Sequence, residues 1–113
     1  MIFQRDVVLI SFPFSEFQSP KVRPAVVISN DSYNRSSEDF IAVPLTSNLK
    51  LRDYAFLITK DELESGRLIV QSRAKVDRIF SASQKLVRLK VGRLKTEAHN
   101  KLITILHELV SAS

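Results

Sequence analysis

An arginine–proline pair and a threonine–serine pair are the residues of this sequence best suited to chemistry on a phosphate. Arg23 stands directly before Pro24, and a residue before proline is held in extended backbone geometry. A guanidinium fixed in this way can bind a phosphate through two hydrogen bonds and stays charged at any working pH. Thr46 and Ser47 follow an apolar run, and their hydroxyls can donate to phosphate oxygens. If the two segments lie side by side, Arg23 and Thr46 can hold one phosphate between them.

The same residues also fit a purely structural interpretation. Arg23 would then pair with a surface carboxylate, and Thr46 would cap a turn. Spacing alone favours this simpler interpretation, so the residues by themselves leave both open.

Other kinds of active site have little support in the sequence. Cysteine is absent, which excludes a thiolate nucleophile and a cysteine-based zinc site. The two histidines, His99 and His107, lack the spacing of a helical zinc pair, and we expect both at the surface or rim of a helix. Gly66 and Gly92 are the only glycines, too few for a glycine-rich phosphate loop. We therefore expect neither a metal ion nor a cofactor.

Length and charge limit the class of protein. A chain of 113 residues predicts a single domain over residues 1–113. The net charge of +5 fits a polyanionic partner or, equally well, a solvated basic face. The N-terminus does not resemble a signal peptide, and no apolar run reaches the ~20 residues of a membrane-spanning helix. These features predict a cytoplasmic protein.

The apolar pattern predicts the elements that must position Arg23 and Thr46. Short runs rich in Val, Ile and Phe predict strands over residues 6–12, 24–29, 40–44, 55–59, 67–70, 74–80 and 86–89. Apolar residues at helical spacing predict a closing helix over 97–110, with Thr96 as its N-cap. Many strands and one terminal helix favour a mainly β fold, a strongly bent sheet or barrel with the helix packed against it.

Several blocks of the sequence resemble the MazF/PemK toxin family. The segments 6–14 (DVVLISFPF), 21–29 (KVRPAVVIS) and 43–47 (VPLTS) occur in that family's order and at roughly its spacing. The later segments 71–80 (QSRAKVDRIF) and 91–94 (VGRL) are similar to its C-terminal blocks. The resemblance covers nearly the whole chain, and its most specific parts are the arginine–proline and threonine–serine pairs.

This resemblance implies a fold, an activity and partners. It implies an SH3-like barrel with a C-terminal helix, usually a homodimer, and the toxin component of a type II toxin–antitoxin system. The implied activity is metal-independent, sequence-specific cleavage of single-stranded RNA, often mRNA, and an antitoxin protein would block the RNA groove. Arg23 and Thr46 would be catalytic. The implied RNA-binding residues are Glu16, Lys21, Ser47, Ser72, Arg73 and Lys75.

The sequence also departs from the family pattern. Arg5 stands where the family usually has glycine, the loop 15–22 contains no glycine, and Gln71 replaces an aspartate of some members. The same barrel also occurs in toxins that inhibit DNA gyrase and cut no RNA, so a binding protein without catalytic activity is the alternative.

Overall fold

The computed structural model describes residues 1–12, 21–50, 53–68 and 70–113, and within them it forms eight strands and two helices. The strands are β1 Asp6–Phe12, β2 Lys21–Val27, β3 Asp39–Thr46, β4 Ala55–Ile58, β5 Leu63–Gly66, β6 Ser72–Lys75, β7 Phe80–Ser83 and β8 Val87–Leu94. The helices are α1 Asp31–Ser36 and α2 Thr96–Val110. Short 3₁₀ turns cover Lys60–Glu62, Val76–Arg78 and Gln84–Leu86.

The strands form one strongly bent antiparallel sheet. Its order is β4-β6-β3-β2-β1-β8-β5, and β7 pairs with the first half of β3. The second half of β3 pairs with β6 instead. The mainly β fold with a C-terminal helix is therefore confirmed.

Side chains of the sheet enter two apolar clusters, one on each face. Along β2, Val26 belongs to one cluster, whereas Ala25 and Val27 belong to the other, as the alternation of a strand requires. Helix α2 covers the first cluster with Ala98 and Leu102. Because both faces are covered, the central strands read as continuous apolar runs in the sequence.

Some predicted boundaries were wrong. Strand β2 begins at Lys21, three residues before the predicted start. The described residues of the predicted strand 67–70 lie outside any strand, and the predicted strand 74–80 is broken by the 3₁₀ turn Val76–Arg78. Helix α2 includes Thr96, and Lys95 takes the N-cap position without a side-chain hydrogen bond.

One end of β2 is tied to the rest of the sheet by Arg5. The Arg5 N–H donates to the Val27 carbonyl at 2.8 Å, and its guanidinium donates to the Leu94 carbonyl at 2.8 Å and to Glu64 at 3.3 Å. Arg5 has a φ of 79°, a conformation that favours glycine, which is the residue usual in the resembling family. We call this group of Arg5, Val27, Glu64 and Leu94 the closed end of β2.

The two glycines lie where β5 and β8 approach each other most closely. Gly66 pairs with Gly92 and has a φ of 75°. A Cβ atom on Gly66 would lie 2.1 Å from the Val91 carbonyl oxygen, and one on Gly92 would lie 2.8 Å from the Ser65 oxygen. This contact requires glycine at both positions and brings β5, with Glu64, against β8.

Helix α2, the longest helix of the described chain, has 15 residues, and no helix in that part of the chain is long and apolar enough to cross a membrane.

Candidate active site

The pairing of β2 with β3 ends partway along both strands. In the described residues the β2–β3 ladder covers only Ala25–Pro44, Val26–Val43 and Val27–Ala42. Pro24, the next residue of β2 beyond this ladder, has no backbone N–H and cannot donate to β3. Beyond this point β2 stays paired with β1, with Arg23 opposite Ile10, while β3 turns to pair with β6. We call the separated region around Arg23, Pro24 and Thr46 the open end of β2.

Arg23 and Thr46 lie on neighbouring strands at this open end. Continuing the register of Ala25–Pro44 by two residues brings Arg23 opposite Thr46. Both residues line a cavity of about 370 Å³, which we call the rim cavity. Its lining also includes Lys21, Val22, Pro24, Leu45, Ser47, Val70 and Ser72.

The side chains of Arg23 and Thr46 are available to a ligand in different ways. Arg23 is exposed, and its guanidinium has no ion-pair partner among residues 1–12, 21–50, 53–68 and 70–113. The Thr46 hydroxyl accepts a hydrogen bond from the Asn48 N–H at 3.2 Å. This contact orients the hydroxyl and leaves its hydrogen available to donate. Thr46 thus caps a turn, as the structural interpretation required, and also faces the rim cavity.

The structure brings most of the other predicted RNA-binding residues to the same region. Lys21 and Ser47 are exposed on the rim cavity. Ser72 also lines it but is only 2% exposed, and its hydroxyl donates to the Val70 carbonyl at 3.1 Å. Glu16 lies outside the described residues.

A second cavity adjoins the rim cavity and shares Thr46 with it. Its volume is also about 370 Å³, and Arg73 and Lys75 face it, as their alternation along β6 predicts. The rest of its lining is Thr46, Asn48, Asp77 and Arg78, and we call it the basic cavity. Asn48 and Arg78 were not among the predicted site residues. Their residue types were visible in the sequence, but only the pairing of β3 with β6 brings them together.

The structure corrects the expectation for His99. Both histidines lie on α2, but only His107 is exposed, whereas His99 is 6% exposed and its Nε2 has no hydrogen-bond partner among the described residues. Burial, with a contribution from the nearby Arg5 charge, lowers the pKa of His99 below its usual 6.5. His99 is thus a buried side chain near the closed end of β2, and it lines neither cavity described above.

No three of the His, Asp and Glu side chains in the described part of the chain cluster as potential metal ligands. The polar groups that line the two cavities are guanidinium, ammonium, hydroxyl and amide groups, together with one carboxylate, that of Asp77.

A scan against family models matches residues 3–110 to the PemK-like, MazF-like toxin of type II toxin–antitoxin systems. The chain belongs to this family. A comparison with curated protein sequences gave no match. Membership of the PemK/MazF family makes the chain a toxin of the type II toxin–antitoxin class.

Solved structures of this family share the fold. An endoribonuclease in complex with its cognate antitoxin from a mycobacterial species superposes with a TM-score of 0.79 at 16% identity over 100% of both chains. A structure of MazE–MazF from Deinococcus radiodurans superposes with a TM-score of 0.78 at 18% identity, covering 99% of this chain and 98% of that one. Toxin MazF-mt6 of Mycobacterium tuberculosis superposes with a TM-score of 0.74 at 12% identity, covering 92% of this chain and 94% of that one. At these identities the similarity establishes a shared fold.

Proposed function

We propose that this toxin is an endoribonuclease that cleaves single-stranded RNA, including mRNA, at short sequence motifs without a metal ion. The observation that carries the proposal is the placement of Arg23 and Thr46 on neighbouring strands around one cavity. Similar proteins described as endoribonucleases have the same fold. Since mRNA is the substrate, the toxin acts in the cytoplasm.

The reaction uses the nucleophile that RNA itself carries. The 2′-hydroxyl attacks the adjacent phosphorus, the bond to the 5′-oxygen breaks, and the products are a 2′,3′-cyclic phosphate and a 5′-hydroxyl. The 2′-hydroxyl gives up one proton and the leaving 5′-oxygen gains one. Because arginine keeps its proton, water in the open rim cavity carries both transfers.

The protein contributes position and charge. Arg23 binds two phosphate oxygens with its guanidinium, and the Thr46 hydroxyl donates to one of them, so both stabilise the negative charge that grows in the transition state. Lys21 and Ser47 hold the strand on the rim cavity, and Arg73 and Lys75 extend the contact into the basic cavity. Glu16 and Ser72 complete the proposed RNA-binding set.

Two protein partners accompany this function. We propose that a small antitoxin, encoded beside the toxin, covers the groove, since similar toxins have been solved in complex with an antitoxin. A net charge of +5 favours an acidic segment in that partner. We also propose that the toxin is a homodimer, as the family resemblance implies.

Induced expression in bacteria, followed by mapping of RNA 5′ ends, tests the activity. We expect rapid growth arrest and new 5′-hydroxyl ends at one short motif. Arrest with intact RNA would instead support a toxin without RNase activity, such as a gyrase inhibitor.

The purified protein tests the role of metal ions. Cleavage should be unchanged by EDTA, and strong inhibition that a divalent ion reverses would identify a metal-dependent nuclease instead.

A further inference from the structure

The segment that follows Thr46 leaves the sheet and is held near it by three hydrogen bonds. Residues 47–50 lie outside any strand and are exposed. Within the segment, the Asn48 N–H donates to the Thr46 hydroxyl at 3.2 Å, and the Lys50 N–H donates to the Asn48 side chain at 3.1 Å. The third bond comes from another strand, because the Arg73 Nε donates to the Asn48 carbonyl at 3.1 Å. An exposed segment with few contacts opens at little cost, so this outside anchor matters for its position.

Arg73 is an unusual side chain to find at the edge of a cavity. It pairs with Thr46 across β3 and β6 and lines the basic cavity, yet it is only 6% exposed. In the described part of the sequence its guanidinium forms no ion pair. Burial of a cation without a counter-ion is costly. So little exposed surface also gives Arg73 less to offer a ligand than the exposed Arg78 of the same cavity.

The two backbone groups of Asn48 connect Arg73 to the Thr46 hydroxyl. A threonine side chain has three staggered orientations, and a hydrogen bond from the Asn48 N–H favours one of them. The hydroxyl oxygen accepts this bond, so its own hydrogen is left to donate. Because Arg73 holds the carbonyl of the same residue, the position of the Asn48 N–H depends on Arg73.

We infer that Arg73 is a positioning residue for RNA cleavage: it holds the Asn48 backbone, which in turn aims the Thr46 hydroxyl at the scissile phosphate. We call this the positioning chain of Arg73, Asn48 and Thr46. The inference rests on the proposed function, in which Thr46 stabilises the charge of the transition state. The chain acts through two N–H groups and requires no contact between Arg73 and RNA.

A double-mutant cycle between Arg73→Met and Thr46→Val tests the positioning chain. Methionine is unbranched and lacks a donor, and an apolar side chain in place of a buried charge is often tolerated. Single-turnover cleavage of a short RNA that spans a mapped cut is followed over a range of toxin concentrations. These data give the rate at saturation and the half-saturating concentration for each variant. Thr46→Val retains Arg23, so its residual cleavage provides the second background.

Arg73→Met should lower the rate at saturation by up to about 10²-fold in the wild-type background, as expected for a misplaced catalytic group. Its half-saturating concentration should change little. In the Thr46→Val background no hydroxyl remains to be aimed, so Arg73→Met should lower the rate by less than about twofold. Lys75→Gln is the matched comparison, because it removes a cation from the same cavity. It should raise the half-saturating concentration equally in both backgrounds.

An ester in place of the peptide bond before residue 48 tests the second step of the positioning chain. In the Asn48→Ala background, lactic acid at this position replaces the N–H by an oxygen atom and leaves the side chain unchanged. The ester should lower the rate at saturation relative to Asn48→Ala itself, and adding Thr46→Val should abolish this difference. Because the ester variant keeps Arg73, it tests the chain independently if Arg73→Met fails to fold.

Two results would overturn the positioning chain while the proposed function stands. One is an equal loss of rate for Arg73→Met in both backgrounds, or an effect confined to the half-saturating concentration, which would assign Arg73 to direct RNA contact. The other is an ester variant that cleaves as fast as Asn48→Ala. A wild-type toxin that cleaves no RNA would instead overturn the proposed function itself.

Discussion

The two ends of β2 place arginine in opposite environments. At the closed end, Arg5 is bonded to the Val27 and Leu94 backbones and to Glu64, and its side chain is 20% exposed. At the open end, Arg23 is exposed on a cavity beside a strand that has separated from its neighbour. Arg5 therefore serves the fold, whereas Arg23 is left for a ligand. The comparison shows that the environment of each arginine depends on which parts of the chain pair beside it.

Arg23→Ala gives the largest expected effect on activity. Removing a charge-stabilising donor should lower the RNA cleavage rate by roughly 10²–10³-fold. Because Arg23 is exposed, the free energy of unfolding should change by less than about 0.5 kcal/mol. Initial rates and urea denaturation measure the two quantities, with Arg35→Ala as the control. If a folded Arg23→Ala variant cleaves RNA at the wild-type rate, the open end of β2 has no greater role in activity than the closed end.

Gly66→Ala should give the largest loss of stability near the closed end. The added Cβ would lie 2.1 Å from the Val91 carbonyl oxygen at a residue with positive φ. We expect a loss of about 1–3 kcal/mol in the free energy of unfolding, measured by urea denaturation. Ser65→Ala, at the exposed neighbouring residue, should leave stability nearly unchanged. Equal stabilities for the two variants would mean that β5 and β8 can separate at little cost.

Substitutions of Arg5 separate its side-chain contacts from its backbone strain. Arg5→Ala removes the hydrogen bonds to Leu94 and Glu64 and should cost about 1–2 kcal/mol of stability. Arg5→Gly removes the same bonds but relaxes the positive φ, so it should be more stable than Arg5→Ala. Thermal and urea unfolding measure the relative stabilities of the two variants. If both variants lose RNA cleavage as strongly as Arg23→Ala, the two ends do not differ in role.

The smallest expected effect is a pH dependence from His99. Its folded-state pKa is lowered by burial and by Arg5, so the unfolded chain binds the proton more tightly. Stability should therefore fall as pH drops below 6.5. His99→Gln should flatten this dependence, and His107→Gln, on the exposed side of α2, should preserve it.

Glu62 should also contribute to the pH dependence of stability, but at lower pH than His99. Burial raises the pKa of Glu62, but hydrogen bonds from the Thr59 hydroxyl and N–H outweigh it and hold the pKa below the usual 4.5. Its stabilising contribution is present above pH 4.5 and is lost as the pH falls below that value, whereas the loss from His99 begins below pH 6.5. An unchanged slope in His99→Gln would assign the pH dependence to another group.

The sequence was sufficient to predict the bounds of the strands and helices whose apolar pattern is strong. Strand β1 and helix α2 were predicted almost to the residue, because β1 is a continuous apolar run buried on both faces and α2 carries apolar residues at helical spacing. The short strands β5 and β7 were missed because residues such as Glu64 and Ser81 carry little apolar signal, and their pairing partners lie far along the chain.

The candidate site could be predicted only in part. Arg23 and Thr46 were selected by residue type and family resemblance, while their adjacency depends on a β2–β3 register that the sequence does not state. Asn48 was missed because it acts through its backbone, and any residue can supply a carbonyl and an N–H. His99 was placed at the surface because the sequence does not distinguish a buried histidine from an exposed one.

Pro24 gives the gap beside Arg23 a cause in the backbone itself. The donor that proline lacks cannot be restored by rotation of a side chain or by a change of pH, so the loss of this one β2–β3 hydrogen bond is permanent. A ligand of the kind proposed above would therefore meet a gap that is already formed and would not have to break that hydrogen bond to enter it.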